Sequence, residues 1–364
     1  MFYKVIGVMS GSSLDGLDLV FCELNETGGK WNYTIIAAAC FEYEPEWVDK
    51  LKNAINLNAY HYLLLHTEFG KYIGEKINYF IEKNNLQFQV QLIVSHGHTT
   101  FHTPQLRMTA QLGDGATIAA TTGINVVSDL RAMDIALGGQ GAPIIPMGEK
   151  LLWGELNFLL NIGGIANISI QQNNEYIAFD VCPANRVLNM LANTVEQKYD
   201  IDGKLASSGS VNTALLTQLN SLNYYQQKYP KSLANDFGTN TIYPLITSFS
   251  LTVEYALRTY VEHIAMQIGY ALTNYLQFPV SNKKLFITGG GAHNYFLVER
   301  IKAAIAGLEI EVVIPSKEVI DYKEALVMAL LGVLRWREEN TVMNSVTGAI
   351  RNSIGGAVWI GQQA

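Results

Sequence analysis

Cysteine is scarce: three residues in 364, Cys22, Cys40 and Cys182, with no C-x-x-C spacing among them. That argues against a disulfide framework and zinc-thiolate sites, and it fits a reducing compartment. Runs of lysine or arginine are absent and the net charge is −7. Nucleic acid and anionic membrane surfaces are therefore poor partners, which leaves a small molecule. No apolar segment approaches the roughly 18 residues of a membrane span. The opening run from Met1 to Met9 carries one lysine and ends at Ser10-Gly11, too short for a signal-peptide core, so a cytoplasmic protein is expected. Neither G-x-x-x-x-G-K-[ST] nor a G-x-G-x-x-G opening the helix of a βαβ unit occurs. Walker and Rossmann modes of nucleotide binding therefore fit poorly.

What is present is an apolar fraction of 49 %, enough for two cores, in a chain longer than one core usually organises. The first part reads as strands at Tyr3 to Met9, Leu17 to Leu24 and Tyr33 to Tyr43, then a helix at about Ala59 to Asn84. A buried strand at Gln91 to Ser95, a short helix at Asp114 to Thr122 and a strand at Asn125 to Ser128 follow. The second half repeats the grammar. Its strands are Phe158 to Ile162, Ile168 to Ile170 and Tyr176 to Asp180, followed by a helix at Asn185 to Lys198 and a polar stretch through Asn240. A long amphipathic helix at Leu251 to Leu276 precedes the strand Lys284 to Thr288, a helix from Tyr295, the strand Glu309 to Ile314 and the helix Lys323 to Trp336. Two α/β domains facing a cleft are expected. They are placed at 1–130, completed by 340–364, and at 131–339, with an accessory insertion around 200–245.

Glycine punctuates three strand ends: Gly11 to Gly16, Gly163-Gly164, and Gly289-Gly290-Gly291. In the first, Gly11 and Gly16 are expected to turn with positive φ while Ser10, Ser12 and Ser13 offer donors to phosphoryl oxygens. Asp15 and Asp18 can orient hydrated Mg²⁺ there, directly or through water. The third turn opens a helix, whose N-terminal end suits an anionic ligand. Tight turns with close packing are the plain alternative. Asp180 closes an apolar strand just before a helix, at the carboxyl end where α/β folds place chemistry, although a capping role would also suit it.

Met9 to Asp18 (MSGSSLDGLD), SHGHTTFH, QLGDGATIA, VVSDLRAMDIALGGQGAP, LNIGGIANIS, FDVCPAN, GGGAHN and VTGAIRNSIGGAV occur in this order nearly end to end. With them the chain resembles the 1,6-anhydro-N-acetylmuramic acid kinase family, of the sugar kinase, actin and heat-shock ATPase superfamily. The resemblance implies two ribonuclease-H-like (actin-like ATPase) domains with a nucleotide cleft, ATP and Mg²⁺ as cofactors, and a homodimer. It implies hydrolytic opening and phosphorylation of 1,6-anhydro-N-acetylmuramic acid in peptidoglycan recycling, with Asp180 as the base that activates water. ATP would meet Gly11, Ser12, Ser13, Leu14, Asp15, Gly16, Leu17, Asp18, Gly163, Gly164, Asn167, Gly289, Gly290, Gly291 and Asn294.

Sugar contacts carried over by the resemblance are Ser10, His96, Arg131 and Glu324. The planar fork of Arg131 suits a lactyl carboxylate. Glu324 also suits the first turn of its helix through the dipole. His96 and His98 lie two apart, so on an extended backbone they would face the same way; lining a substrate loop is favoured over binding zinc. His293 reads as a turn residue near the nucleoside. The family's FDTGPGN stands here as Phe179 to Asn185, FDVCPAN, and its Thr after Gly11 is Ser12. Cys182 is read as a space-filling substitution, since no base adjoins it. Two other readings stay open: another sugar or carboxylate kinase, or a nucleotide-binding regulatory homologue without catalysis.

Overall fold

The computed structural model describes all residues except 12, 173–174, 230, 235, 276–282 and 363–364. Its strands are β1 (Phe2–Ser10), β2 (Gly16–Thr27), β3 (Lys30–Glu42), β4 (Leu92–Thr103), β5 (Met108–Leu112), β6 (Val126–Ser128), β7 (Phe158–Ile162), β8 (Ile165–Gln172), β9 (Glu175–Pro183), β10 (Lys283–Thr288), β11 (Ile310–Val313) and β12 (Ala357–Trp359). The chain divides into two units, Met1–Gly154 with Tyr322–Ala364, and Glu155–Asp321. The divisions expected from sequence lie at 130/131 and 339/340. The difference follows from packing: the helix Lys317–Trp336 is interrupted at Tyr322, and from there it lies on the sheet of the first unit.

In the first unit the sheet order is β12-β6-β4-β1-β2-β3, with β5 beside β4. β1, β2 and β3 form an antiparallel meander, and β4 runs parallel to β1 and β6 parallel to β4. From Val5 on, β1 is buried. The helix Ala59–Lys83, capped by Asn58 accepting from the His61 amide, packs Phe69, Ile73, Ile77 and Phe80 into a core with Ile6, Val8, Leu19 and Phe21. The opposite face takes the helix Lys317–Trp336 so closely that side chains are excluded: a Cβ on Gly7 would lie 1.9 Å from the Ala325 carbonyl oxygen, and one on Gly332 2.0 Å from Val94.

The second unit repeats the arrangement as β11-β10-β7-β8-β9. Again three antiparallel strands come first, and then β10 runs parallel to β7 and β11 parallel to β10. This shared order of strands is the ribonuclease-H-like topology expected from sequence. The helix Val253–Tyr275 lays Leu257, Val261, Ile264, Ile268 and Leu272 against Leu160, Ile168, Leu285 and Ile287. Residue 276, the expected end of that helix, lies outside the described residues.

Several elements differ from expectation. β4 runs on to Thr103 and returns as β5, because its later residues pair across a hairpin instead of entering the core. β9 continues past Asp180 to Pro183, and the helix Asn185–Asn193 stops short of Lys198. Within the polar stretch, the helices Lys204–Ser208 and Thr213–Asn220 add Ala206, Leu215 and Leu219 to the core of the second unit.

Gly7→Ala is expected to destabilise the protein by about 3 kcal/mol or more, since the new methyl would overlap helix backbone that cannot swing aside. Chemical denaturation checks this, and an unchanged midpoint would show that the helix does not lie where it is described.

Candidate active site

The residues singled out from sequence fall in both units. In the first, β1 ends at Ser10 and the chain turns into β2, with the Leu14 amide donating to the Gly11 carbonyl at 3.3 Å. Ser12 lies outside the described residues. The expected positive φ at Gly11 and Gly16 is not found; Leu14 takes the left-handed conformation instead, at φ 59°. Gly16 answers to packing, because a Cβ there would come within 2.6 Å of the Phe41 oxygen and 2.7 Å of Cys40 Sγ. Gly11 has no such constraint: its nearest neighbour would be Ser13 Oγ at 3.4 Å. Ser13 and Asp15 are exposed and Asp18 is half-buried, whereas the side chain of Leu17 belongs to the core. Asp18 faces Cys40 across the β2–β3 ladder. Burial and then the Asp18 charge push the Cys40 thiol up to about 12, which keeps it in the protonated form at neutral pH.

β1 and β4 slip register after Val8, which pairs with Ser95 while Ser10 pairs with His98. Gly97, at φ +70°, sits inside this irregularity, so His96 and His98 do not share a face as an extended backbone would make them. Ser10 is 2 % exposed; its Oγ accepts from the Tyr43 hydroxyl at 2.7 Å and lies 3.0 Å from His98 Nδ1. His96 has Nδ1 2.9 Å from the Gly97 oxygen, and its Nε2 accepts from Arg131 Nε at 2.8 Å. Burial lowers His98 to about 4, and burial with the Arg131 charge lowers His96 to about 3, so both rings are neutral at physiological pH. Arg131 also donates Nη1 to the Gly141 carbonyl; burial brings it down to about 10, still cationic.

Glu324 opens the helical run after Tyr322. The residue is exposed to solvent, and partial desolvation raises its carboxyl against the pull of Lys323 and Arg131. Beside it Lys323 and Glu149 form a buried ion pair at 2.9 Å. Asp134, 1 % exposed, accepts from the Gly141 amide and the Thr347 hydroxyl, each at 2.7 Å. Neither Asp134 nor the Glu149–Lys323 pair stands out in the sequence. The segment holding Asp134 was visible as a motif, but partners 174 residues apart leave no local signal.

In the second unit the Gly163-Gly164 turn joins β7 to β8, and added Cβ atoms there would meet nothing nearer than 3.6 Å. Neither glycine is required by the chain's own packing. Asn167 pairs in register with Asp180, and the ladder slips between Ala166 and Asn167, leaving Val181 as a bulge. Such bulges re-aim side chains. Val181 and Cys182 are buried in the core, so Cys182 does fill space. Asp180 is half-buried; its Oδ2 accepts from the Leu233 amide at 2.9 Å and its carbonyl from the Tyr224 hydroxyl at 2.6 Å. Burial raises its carboxyl and the Leu233 amide partly opposes the shift. Sequence gave no sign of Tyr224 or Leu233, which arrive from the polar stretch.

Gly289 takes φ +79° and Asn294 caps the helix Tyr295–Ala304 by accepting from the Leu297 amide at 3.0 Å. Gly290 and Asn294 help to line a cavity of about 500 Å³ together with Asn185, Leu188, Tyr199 and Ile201. That volume lies inside the range of small-molecule sites, roughly 300–1,000 Å³. His293 lines it too, hydrogen-bonded to Asp321. Gly291 is a packing glycine, its Cβ position 2.3 Å from Ile162. Among the described residues no group of three or more His, Cys, Asp or Glu could hold a metal, and no helix is long and apolar enough to cross a membrane.

Two units of one ribonuclease-H-like topology, with glycine turns at the ends of their central strands and a ligand-sized cavity in the second, define a duplicated α/β protein. A family model described as anhydro-N-acetylmuramic acid kinase matches residues 3–361. Curated proteins of that name are similar throughout: 32 % identical in Aliivibrio fischeri (98 % of this chain, 99 % of that one), 33 % in Clostridioides difficile (94 % and 95 %) and 34 % in Mannheimia succiniciproducens (94 % and 95 %). The chain belongs to the anhydro-N-acetylmuramic acid kinase family. Among solved structures, a hexokinase from Schistosoma mansoni complexed with glucose overlaps loosely, at 12 % identity and a TM-score of 0.41 over 90 % of this chain and 85 % of its own.

Lys323→Met is expected to cost about 3–5 kcal/mol by leaving Glu149 buried without its partner. Restoration of most of that loss by the double change Glu149→Leu with Lys323→Met, measured by urea unfolding, would confirm that the charge and not the packing is responsible.

Proposed function

We propose that this protein uses ATP to open 1,6-anhydro-N-acetylmuramic acid hydrolytically and phosphorylate it, yielding N-acetylmuramic acid 6-phosphate for peptidoglycan recycling in the cytoplasm. The observation that supports this most is Asp180: a half-buried carboxylate, turned by a bulge and fixed by the Leu233 amide, within a chain of this family. Asp180 takes a proton from water as that oxygen attacks the anomeric carbon. The bond from that carbon to the bridging oxygen breaks, and O6 receives the γ-phosphoryl group while ADP leaves. One base therefore serves both events.

Arg131 and Glu324 bind the sugar, the guanidinium against the lactyl carboxylate. Bare amides at Gly11, Gly163, Gly164 and Gly290 approach the phosphates, and the cavity beside Asn294 takes the nucleoside. The proposed nucleotide set also includes Ser12, Ser13, Leu14, Asp15, Gly16, Leu17, Asp18, Asn167, Gly289 and Gly291. Mg²⁺ is held by few carboxylates, with phosphates and water making up the rest, and Asp15 and Asp18 fit that donor set; when bound it neutralises phosphate charge. A homodimer is part of the proposal.

Asp180→Asn is expected to leave ATP binding intact and lower turnover at least about 10²-fold. Solvent ¹⁸O should appear at the anomeric position of the product, whereas a kinase with a plain hydroxyl acceptor would incorporate none. Because burial raises Asp180, the acid limb of kcat should lie above the ordinary carboxylate range, with activity lost as pH falls. Gly163→Ala should leave stability within about 0.5 kcal/mol yet weaken ATP binding. Unchanged ATP affinity would remove that turn from the nucleotide site.

A further inference from the structure

We infer that His96 is a positioning residue, which sets specificity for a carboxylate-bearing sugar by fixing the guanidinium of Arg131 and not by touching the sugar. The inference rests on the reading of Arg131 given above and goes beyond it.

A carbonyl oxygen can only accept, so the 2.9 Å contact with Gly97 places the ring proton of His96 on Nδ1. Nε2 is then bare, and Arg131 Nε, which can only donate, meets it at 2.8 Å. Both ring nitrogens are thereby engaged within the protein, and His96 is 3 % exposed. The carbonyl that sets the tautomer is itself immobile. Gly97 sits at φ +70°, a Cβ there would lie 2.3 Å from the Leu112 oxygen, and its amide donates to Ser95 Oγ at 3.2 Å.

The guanidinium has a second anchor in the Gly141 carbonyl. That residue, at φ +63°, is tied by its amide to Asp134 Oδ2 at 2.7 Å. Two fixed acceptors orient one planar cation. Of its five N–H donors these bonds take two, one on Nε and one on Nη1, leaving both hydrogens of Nη2 and one of Nη1 for an outside anion. Without His96 the plane could rotate about its remaining anchor, and the part-buried Nε would be left with no acceptor. The charge would remain but its aim would be lost.

The test compares kcat/KM for anhydro-N-acetylmuramic acid with that for its neutral lactamide analogue. In His96→Leu the value for the carboxylate substrate should fall about tenfold or more, the scale of a charge-assisted hydrogen bond, and that for the amide less than about twofold. His96→Gln, which keeps an acceptor, should restore most of the loss. In an Arg131→Ala background His96→Leu should add nothing further. Equal losses on both sugars, no rescue by glutamine, or additive effects with Arg131→Ala would each overturn the inference.

Nitrogen-15 NMR of the ring reads the same arrangement without activity, with His96→Gln assigning the signal. The Nδ1–H tautomer at neutral pH is expected, and an Nε2–H ring would overturn the inference. If the wild-type protein turned over neither sugar, the functional reading would fall while the tautomer still decided the geometry.

Discussion

In each unit one strand is buried on both faces, and the positions of the other elements follow from it. β1 and β7 lie in the middle of their sheets and carry almost nothing polar until their carboxyl ends. A strand enclosed this way must be a near-continuous apolar run, because any polar side chain along it would lose water without gaining a partner. Polar groups are therefore confined to its last residues and the turn beyond. Ser10 and Asn161 stand there, each followed by a turn with bare backbone. The same demand explains Gly7, where helix backbone lies against the strand too closely for a methyl group.

Around these strand ends, burial selects protonation states instead of leaving them to solvent. His96 and His98 are neutral, Arg131 keeps its charge, and Asp180 is shifted toward protonation but checked by a backbone amide. A buried cation next to a charged imidazole would repel it. A neutral ring with its proton fixed on the far nitrogen gives the guanidinium an acceptor instead. The interior thus holds one orientation for each group, which is the form of preorganisation that binding and phosphoryl transfer depend on.

Much of this was legible in the sequence, and the reasons for the remainder are physical. Apolar runs broken by glycine gave the two strand–turn–strand openings, and helical spacing gave Ala59–Lys83 and Val253–Tyr275 to within a few residues. The carboxylate at Asp180 and the arginine at 131 were legible as residues. Their surroundings were not: a bulge at Val181 and a left-handed Gly97 depend on register, which is set by neighbouring strands. Gly16 shows the limit in reverse, since its composition suggested a flexible turn whereas packing against Phe41 and Cys40 accounts for it. Tyr224 and Leu233 come from a polar segment whose letters carry no periodicity, and Lys323 finds Glu149 from 174 residues away along the chain.

The three thiols are distributed in a way that makes them internal probes. Cys22 is sealed in the core of the first unit and Cys182 in that of the second, while Cys40 stands exposed on β3. Alkylation of either sealed thiol requires the surrounding strands to part, so its rate measures the breathing of that unit alone. The chain carries one such clock in each half, and comparing them would show which half opens first.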